Sequence, residues 1–385
     1  MRLYRPETQT QEVQPRMRRS RRALCVALAL ALGVSSRLGA QRVEQPVTRA
    51  PTSGLWRVAP APASPRARPK VLVYYDLEGM SGVTSLAEAG WVRDSAALER
   101  GRVAATRDVL AVLAGLRAAG LDSIGIVDYH GAVDDDVPVT ALPPGVTIVS
   151  RFVADTVRPG AFDGALFVGM HTGPNGGGFL AHSFMSGLDP RLNGRSVNET
   201  EMEAARLGAV GVPVLFVSGD DRLRTELAAS MPWIEYVVTK RARDFVTVDT
   251  LPTADVAREL AAGARRAIER RASARVVHVH VPIAVGLRTF GPAMLGETLA
   301  GLPGLTVVGD ETRFTAPDVI AAFRGVIAMY RLTAIQFSRT FDRQLRQRPD
   351  VRTTADSAWS QFQRAYGALV DSLAATHAQP RPHTP

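Results

Sequence analysis

The chain has 385 residues, of which 46% are hydrophobic and 22% are charged, as in ordinary globular proteins. Its formal charge of +9 is concentrated at the start, because residues 1–40 hold eight arginines and two glutamates, and the remainder carries only +3. This near balance excludes the strongly basic surface of a nucleic-acid-binding protein. The single cysteine, Cys25, also lies in the first 40 residues, so the rest of the chain has neither a disulfide nor a thiol nucleophile.

The first 40 residues are predicted to be an export signal. A basic stretch at 16–22 precedes an apolar run at 23–34, and Leu38-Gly39-Ala40 resembles a cleavage site. The apolar run is too short to span a membrane as a helix, and no later segment is long enough. Because SRRAL at 20–24 also fits a twin-arginine signal, the Sec and twin-arginine routes both stay open. We expect an exported protein, periplasmic or secreted, with no membrane contact after cleavage.

The remainder predicts an α/β fold. Residues 41–69 are rich in proline, alanine, arginine and serine and are predicted to be a linker. From residue 70 onward apolar strands alternate with helices, which predicts a mostly parallel sheet flanked by helices over residues 70–273. Residues 274–345 are predicted to form a smaller second α+β lobe, and 346–385 a C-terminal helix and a disordered tail. The individual predicted strands are Val71–Tyr75, Ile124–Val127, Ala165–Val168, Pro213–Val217, Trp233–Val238, Arg275–Ile283 and Leu305–Val308, and the helices begin at Asp94 or Ser95, Asn198, Ala254 and Pro317.

Two carboxylates follow the first predicted strand, in the sequence Asp76-Leu77-Glu78-Gly79. Side chains two residues apart on an extended chain point the same way, and open α/β sheets bind ligands at the carboxyl ends of their strands. Two like charges so close repel each other, and one takes up a proton unless a cation neutralises them. A metal ion is the simplest such cation, and a solvated acidic turn is the alternative for this motif taken alone.

Further histidines and carboxylates follow the later elements. They are Asp128 and His130 after Ile124–Val127, His171 after Ala165–Val168, His182 after a flexible glycine-rich loop at 173–178, and Glu199 at the start of a helix. Imidazole and carboxylate ligands together suit zinc. Each residue alone has a simpler explanation as a loop or helix-start residue, and Asp128 is either a turn residue or a partner that holds the tautomer of His130 from outside the metal shell. The loop lacks the Gly-Lys-Ser/Thr of a phosphate-binding loop, which excludes nucleotide binding there.

The order of these motifs resembles that of the M55 D-aminopeptidases, a family of zinc peptidases, over residues 70–339. The matching segments are D-x-E-G-x-S-G at 76–82, V-D-Y-H at 127–130, F-x-G-x-H at 167–171, H-S at 182–183, N-x-R-x-V-x-E at 193–199 and V-P-V-L-x-V-x-G-D-D at 212–221. The resemblance implies two zinc ions per subunit, although another divalent metal would also suit the ligands. The implied metal ligands are Asp76, Glu78, His130, His171 and Glu199. Asp76 would bridge the two ions, with Glu78 and His171 at one and His130 and Glu199 at the other, and His182 would be catalytic.

The resemblance also implies an activity. An exported aminopeptidase would hydrolyse short peptides with an N-terminal D-amino acid, such as D-alanyl peptides. A metal-bridging hydroxide would attack the scissile carbonyl, while His182 would donate to the oxyanion or protonate the leaving amine. The resemblance also implies a homo-oligomer, and a decamer is one expected form because the family's type member is a ring of ten subunits.

Two alternatives stay open. The loop between His171 and His182 and the segment Leu188–Arg191 depart from the family pattern, and they motivate a metallohydrolase that cleaves another amide or an ester. A non-catalytic metal- or peptide-binding protein is the other alternative. The retention of His182 argues against it, because metal binding needs only the other five residues.

Overall fold

The fold is given by a computed structural model that describes residues 54–64, 66–131, 136–150, 156–289 and 302–331, together with positions 364, 367, 368 and 371. The signal predicted at 1–40 lies outside the described residues. So does most of the C-terminal helix predicted within 346–385, although its four described positions are helical.

The described part of the chain alternates between strands and helices. Its strands are β1 (Trp56–Pro60), β2 (Val71–Tyr75), β3 (Ile124–Asp128), β4 (Val146–Ile148), β5 (Gly164–Met170), β6 (Leu188–Leu192), β7 (Arg195–Ser196), β8 (Val214–Asp220), β9 (Glu235–Ala242), β10 (Val248–Thr250), β11 (Arg275–Val279), β12 (Ile283–Thr289), β13 (Thr306–Val308) and β14 (Glu311–Ala316). Its α-helices are α1 (Ser95–Ala118), α2 (Glu199–Ala209), α3 (Asp221–Leu227), α4 (Thr253–Glu269) and α5 (residues 319–331).

The central sheet has seven strands in the order β10-β9-β8-β5-β2-β3-β4. All neighbours are parallel except β10, which pairs antiparallel with β9 at one edge. Strands β2 and β5 lie in the middle and are buried along their whole length, as continuous apolar strands of parallel sheets are. The predicted mostly parallel sheet is confirmed.

Alternate residues of the central strands build two cores, one on each face of the sheet. Val71 and Val73 pack with residues of α1 and α4 on one face. Leu72 and Tyr74 point to the other face, where they join residues of α2, α5 and the second sheet. This division follows from the two-residue period of a strand.

The second sheet has five antiparallel strands in the order β13-β14-β12-β6-β7. It confirms a smaller second lobe, but two of its strands come from inside the range predicted for the core, because Leu188–Leu192 pairs with Ile283–Thr289. The predicted boundary at residue 274 therefore does not separate the lobes. The pairing joins segments about 90 residues apart, and no local pattern specifies such a partner.

The segment predicted to be a linker contains a strand. Trp56–Pro60 pairs antiparallel with Arg275–Val279, so the prediction of a linker at 41–69 is wrong for these residues. Most of β1 is exposed or partly exposed, so it lacks the regular apolar alternation by which a strand is predicted. The single strand predicted at 275–283 is two strands, β11 and β12, separated by a segment that contains Pro282, which has no N–H for a ladder.

Two helices that position the site begin at the residues predicted from the sequence. Asp94 caps α1 by accepting a hydrogen bond from the backbone N–H of Ala97. Asn198 and Glu201 form a reciprocal capping box at the start of α2, which fixes where Glu199 stands. In the described part of the chain, no helix combines the length and apolar character needed to cross a membrane.

Candidate metal centre and active site

Six predicted site residues lie together at one edge of the central sheet. Strands β2, β3 and β5 are adjacent and parallel, so their carboxyl ends meet at that edge. Asp76 and Glu78 follow β2, His130 follows β3 and His171 follows β5. Glu199 begins α2, and His182 lies in the loop between β5 and β6. The sequence therefore identified residues that the fold brings together.

The ligand atoms form two groups, each within 4.8 Å: Asp76, Glu78 and His130 in one, and His171, His182 and Glu199 in the other. Nε2 of His171 lies 3.4 Å from Asp76 Oδ2 and 3.5 Å from Glu199 Oε1. Asp76 thus reaches both groups, as a bridging ligand must. His130 Nε2 lies 3.8 Å from Glu78 Oε1. The distances pair His130 with Glu78 and His171 with Glu199, and this pairing differs from the one implied by the resemblance.

The chemistry of these residues fits a metal ion. Asp76, Glu78 and His171 are each at most 2% exposed. Among the described residues, Glu78 Oε2 and His171 Nε2 are buried with no hydrogen-bond partner. Buried polar atoms without a partner are costly, and a cation would satisfy both. Carboxylate oxygens and imidazole nitrogens are ligands typical of zinc.

The candidate ligand residues shift one another's pKa values. Burial and the charge of Glu78 raise the pKa of Asp76 to about 8. Burial alone would raise the pKa of Glu78 as well, but the nearby His130 and His171 outweigh burial and lower that pKa below its ordinary value. Burial likewise lowers the pKa of His130, yet Glu78 and the hydrogen bond to Asp136 outweigh it and raise the pKa to about 10. The buried carboxylates therefore attract positive charge, as a metal site does.

His182 is held in one tautomer. Its Nδ1 lies 2.8 Å from the carbonyl oxygen of Leu180, which can only accept, so Nδ1 carries the proton. Nε2 is then unprotonated and lies 4.0 Å from both Glu78 Oε1 and Glu199 Oε1. The ring stacks on His171 at a centroid distance of 4.1 Å. Burial and the charge of His171 lower the pKa of His182 to about 3, so the imidazole is neutral.

The imidazole of His130 is supported by Asp136 and not by Asp128. Nδ1 of His130 lies 2.7 Å from Asp136 Oδ2, and Asp136 is fully buried. Asp128 instead accepts hydrogen bonds from the backbone N–H groups of His130 and Asp136 and from the hydroxyl of Tyr75. The prediction that Asp128 holds the His130 tautomer is therefore wrong. Asp136 ends the run Asp134-Asp135-Asp136, which is typical of a solvated loop, so the sequence carried no signal for its role.

The glycine-rich loop between His171 and His182 is anchored, although we predicted it to be flexible. The backbone N–H of Gly173 donates to Glu226 Oε2 at 3.1 Å, and that of Phe179 donates to Asp220 Oδ2 at 2.8 Å. Gly178 N–H donates to the hydroxyl of Thr172. Carboxylates from the end of β8 and from α3 therefore hold both ends of the loop.

A buried lysine supports the first carboxylate motif, and no pattern in the sequence indicates this role. Lys240 is fully buried on β9, and its Nζ donates to the backbone carbonyls of Glu78, at 2.6 Å, and Val83. Burial lowers the pKa of Lys240 to about 7. The turn itself needs Gly79, because a Cβ there would lie 2.1 Å from the carbonyl oxygen of Met170.

Comparisons with known proteins identify the family. The model of the M55 peptidase family, described as D-aminopeptidase, matches residues 70–328. The D-aminopeptidase of Bacillus subtilis (strain 168) is 25% identical over 275 residues, and the match covers 68% of this chain and 97% of that protein. The solved structure of the Zn-dependent D-aminopeptidase DppA from Bacillus subtilis, a self-compartmentalizing protease, matches with a TM-score of 0.62 and 24% identity, and the match covers 69% of this chain and 98% of that one.

The fold and the site together define a metallo-aminopeptidase, an enzyme of the hydrolase class. The family match covers most of the chain and includes the six site residues described above. The chain belongs to the M55 D-aminopeptidase family, and the resemblance inferred from its motifs is confirmed.

Proposed function

We propose that this chain removes N-terminal D-amino acids from short peptides, such as D-alanyl peptides, with two zinc ions bound per subunit. The observation that carries the proposal is that Asp76 reaches both groups of candidate ligands. The unprotonated Nε2 of His182 lies 4.0 Å from one carboxylate of each group. The Bacillus subtilis relatives are a D-aminopeptidase and a Zn-dependent D-aminopeptidase, which supports the substrate and the metal.

The ligands would divide according to the distances between them. Asp76, Glu78 and His130 would hold one zinc ion, and Asp76, His171 and Glu199 the other. When bound, zinc would lower the pKa of a water molecule toward neutrality and polarise the scissile carbonyl. The surrounding burial strengthens these electrostatic effects, because little water screens the charges.

His182 would transfer the proton. Because Nδ1 donates to Leu180, the neutral ring would present a lone pair at Nε2 and would accept a proton at the start of the reaction. The attacking water would give that proton to Nε2 as its oxygen bonds to the carbonyl carbon. When the C–N bond breaks, Nε2 would return the proton to the leaving amine. The hydrogen bond from Nδ1 to Leu180 would keep the ring oriented throughout.

The first test is the hydrolysis of matched D-alanyl and L-alanyl amides by the chain, before and after chelation and zinc restoration. We expect chelator-sensitive cleavage of the D-substrate. His182→Ala should keep its zinc and lose most turnover, whereas Asp76→Ala should lose zinc and turnover together. His280→Ala, at an exposed position, is the control and should match the wild type. Unchanged turnover in His182→Ala would contradict its role, and two zinc ions bound to Asp76→Ala would contradict the bridging assignment.

The same assay separates the alternative activity. If zinc binds and neither amide is cleaved, the substrate proposal fails, and a panel of other amides and esters tests a different hydrolase of the same scaffold. Segments 172–181 and 188–191 depart from the family pattern. They are therefore the first segments to replace with those of a relative when the substrate preference is tested.

Export and assembly are further parts of the proposal. The basic and apolar pattern of residues 1–40 supports export to the periplasm or the medium, and N-terminal sequencing of protein from the producing cells tests it. DppA is described as self-compartmentalizing, which supports a homo-oligomer. Analytical ultracentrifugation tests assembly, and a purely monomeric species would contradict it.

A further inference from the structure

A single tryptophan contacts both a metal ligand and the catalytic histidine. The indole Nε1–H of Trp91 donates to Glu78 Oε1 at 2.8 Å. The Trp91 ring also lies edge-on to His182, with a centroid distance of 4.7 Å and an interplanar angle of 87°. Phe245 packs on it at 5.6 Å. Trp91 lies in the turn segment before α1, outside the motifs by which the family was inferred.

The hydrogen bond from Trp91 makes the two oxygens of Glu78 different. Oε1 accepts from the indole, whereas Oε2 is buried and has no hydrogen-bond partner among the described residues. The main chain of Glu78 is held separately, because its carbonyl oxygen accepts from Lys240 Nζ at 2.6 Å. With the main chain fixed, the indole donor restrains the remaining side-chain torsions, and it holds Oε1 at 3.8 Å from His130 Nε2 and 4.0 Å from His182 Nε2.

The same ring confines His182. One face of the His182 imidazole stacks on His171 at a centroid distance of 4.1 Å. The edge-on contact with Trp91 restricts movement of the imidazole away from His171. The hydrogen bond from Nδ1 to Leu180 prevents the ring from turning over. A change at Trp91 therefore affects the ligand and the proton carrier together.

We propose that Trp91 is a positioning residue: its indole N–H orients the carboxylate of Glu78 as a metal ligand, and its ring holds His182 against His171. This inference rests on the proposed function only in that the site binds zinc. Hydrogen-bond partners outside a metal's ligand shell typically change metal affinity or activity by roughly 10–100-fold when removed.

The test is zinc affinity. It is measured on the full chain by letting a chelating dye compete with the protein for zinc, which is the only metal added. Trp91→Phe keeps an aromatic ring and removes the donor, and we expect one of the two zinc ions to bind roughly 10–100-fold more weakly. The matched control is Trp233→Phe. Trp233 lies just before β9, at the amino ends of the parallel strands and therefore away from the site. Its indole N–H has no hydrogen-bond partner in the described part of the chain. Its substitution should leave both affinities unchanged.

A second variant distinguishes loss of the hydrogen bond from a general loss of packing. Site-specific incorporation of β-(3-benzothienyl)alanine at position 91 keeps the bicyclic shape and replaces N–H by sulfur. We expect it to weaken zinc binding as Trp91→Phe does, with an unfolding free energy of the zinc-free protein equal to that of the wild type. Excess zinc should restore its turnover, because the lost interaction serves the ligand.

The outcomes separate this inference from the proposed function. If either position-91 variant binds both zinc ions as tightly as the wild type, the role of Trp91 is refuted, whatever the substrate. If the wild type binds zinc and cleaves no D-amide, the proposed function fails, while a weakened zinc site in the variants still supports the positioning role.

Discussion

Glu226 offers a prediction in which removing a charge stabilises the protein. It lies on α3, and its Oε2 accepts a hydrogen bond from the backbone N–H of Gly173 at 3.1 Å. Burial and the negative charge of Glu201 raise the pKa of Glu226 from 4.5 to about 7. Glu226→Gln keeps an acceptor for Gly173 and cannot ionise. It therefore removes the cost of a buried charge and keeps the anchor of the loop.

The sign follows from proton binding. Between pH 4.5 and about pH 7 the folded chain holds a proton on Glu226 that the unfolded chain has lost. The free energy of unfolding of the wild type therefore falls as pH rises through this range, and the loss is complete above the folded pKa. At about 1.4 kcal/mol for each tenfold change in proton affinity, the full effect is roughly 3 kcal/mol. Partial exposure of the side chain reduces it to about 1–3 kcal/mol.

The assay is urea unfolding of the chelated wild type and Glu226→Gln across about pH 4.5 to pH 8. We expect the two proteins to have similar unfolding free energies at the acidic end, and Glu226→Gln to be about 1–3 kcal/mol more stable at the alkaline end. Glu99→Gln, at an exposed position of α1, is the control and should show no such trend. A difference that is constant with pH, or a variant that is less stable above pH 7, would refute the reasoning.

The remaining predictions concern the supports of the site. Gly79→Ala places a Cβ 2.1 Å from the carbonyl oxygen of Met170, which is main chain and cannot move away. We expect a loss of about 3 kcal/mol or more in thermal unfolding, with loss of zinc, and a fully stable variant would contradict it. Asp108→Ala leaves the backbone N–H and the hydroxyl of Ser81 without their acceptor, and urea unfolding should show a cost of about 2–4 kcal/mol. An effect below about 0.5 kcal/mol would mean that the turn is held elsewhere. Asp94→Ala removes the cap of α1 and should cost about 1 kcal/mol in the same assay, with zinc content unchanged.

The candidate metal ligands could be predicted from the sequence because their positions depend on local pattern and one general rule. Val71–Tyr75 is apolar throughout, so it marks a central strand, and the carboxylates that follow must lie at its carboxyl end. Parallel strands bring their carboxyl ends to one edge, which is why His171, from a strand about 90 residues later, meets Asp76 there. The α/β alternation and the capping of α2 by Asn198 were predictable for the same local reason.

The partners that support these ligands could not be predicted in this way. Asp136 follows two other aspartates and looks solvated, yet the tertiary fold buries it against His130. Trp91 lies in a turn whose sequence gives no direction to its indole, and Lys240 reaches Glu78 from a strand more than 150 residues away. Which donor meets which acceptor depends on three-dimensional packing of distant segments, and no local period encodes it.

By itself, the sequence determined the class of fold, the family and the six candidate site residues that the fold brings together. Strand and helix periods are local, and the ends of parallel strands have one place to meet. The tertiary structure alone decided how the ligands pair, with His130 beside Glu78 and His171 beside Glu199. It also joined Trp56–Pro60 to Arg275–Val279 and Leu188–Leu192 to the second sheet. Antiparallel pairing across a long loop depends on which edges the folded core leaves open, and only the assembled core defines those edges.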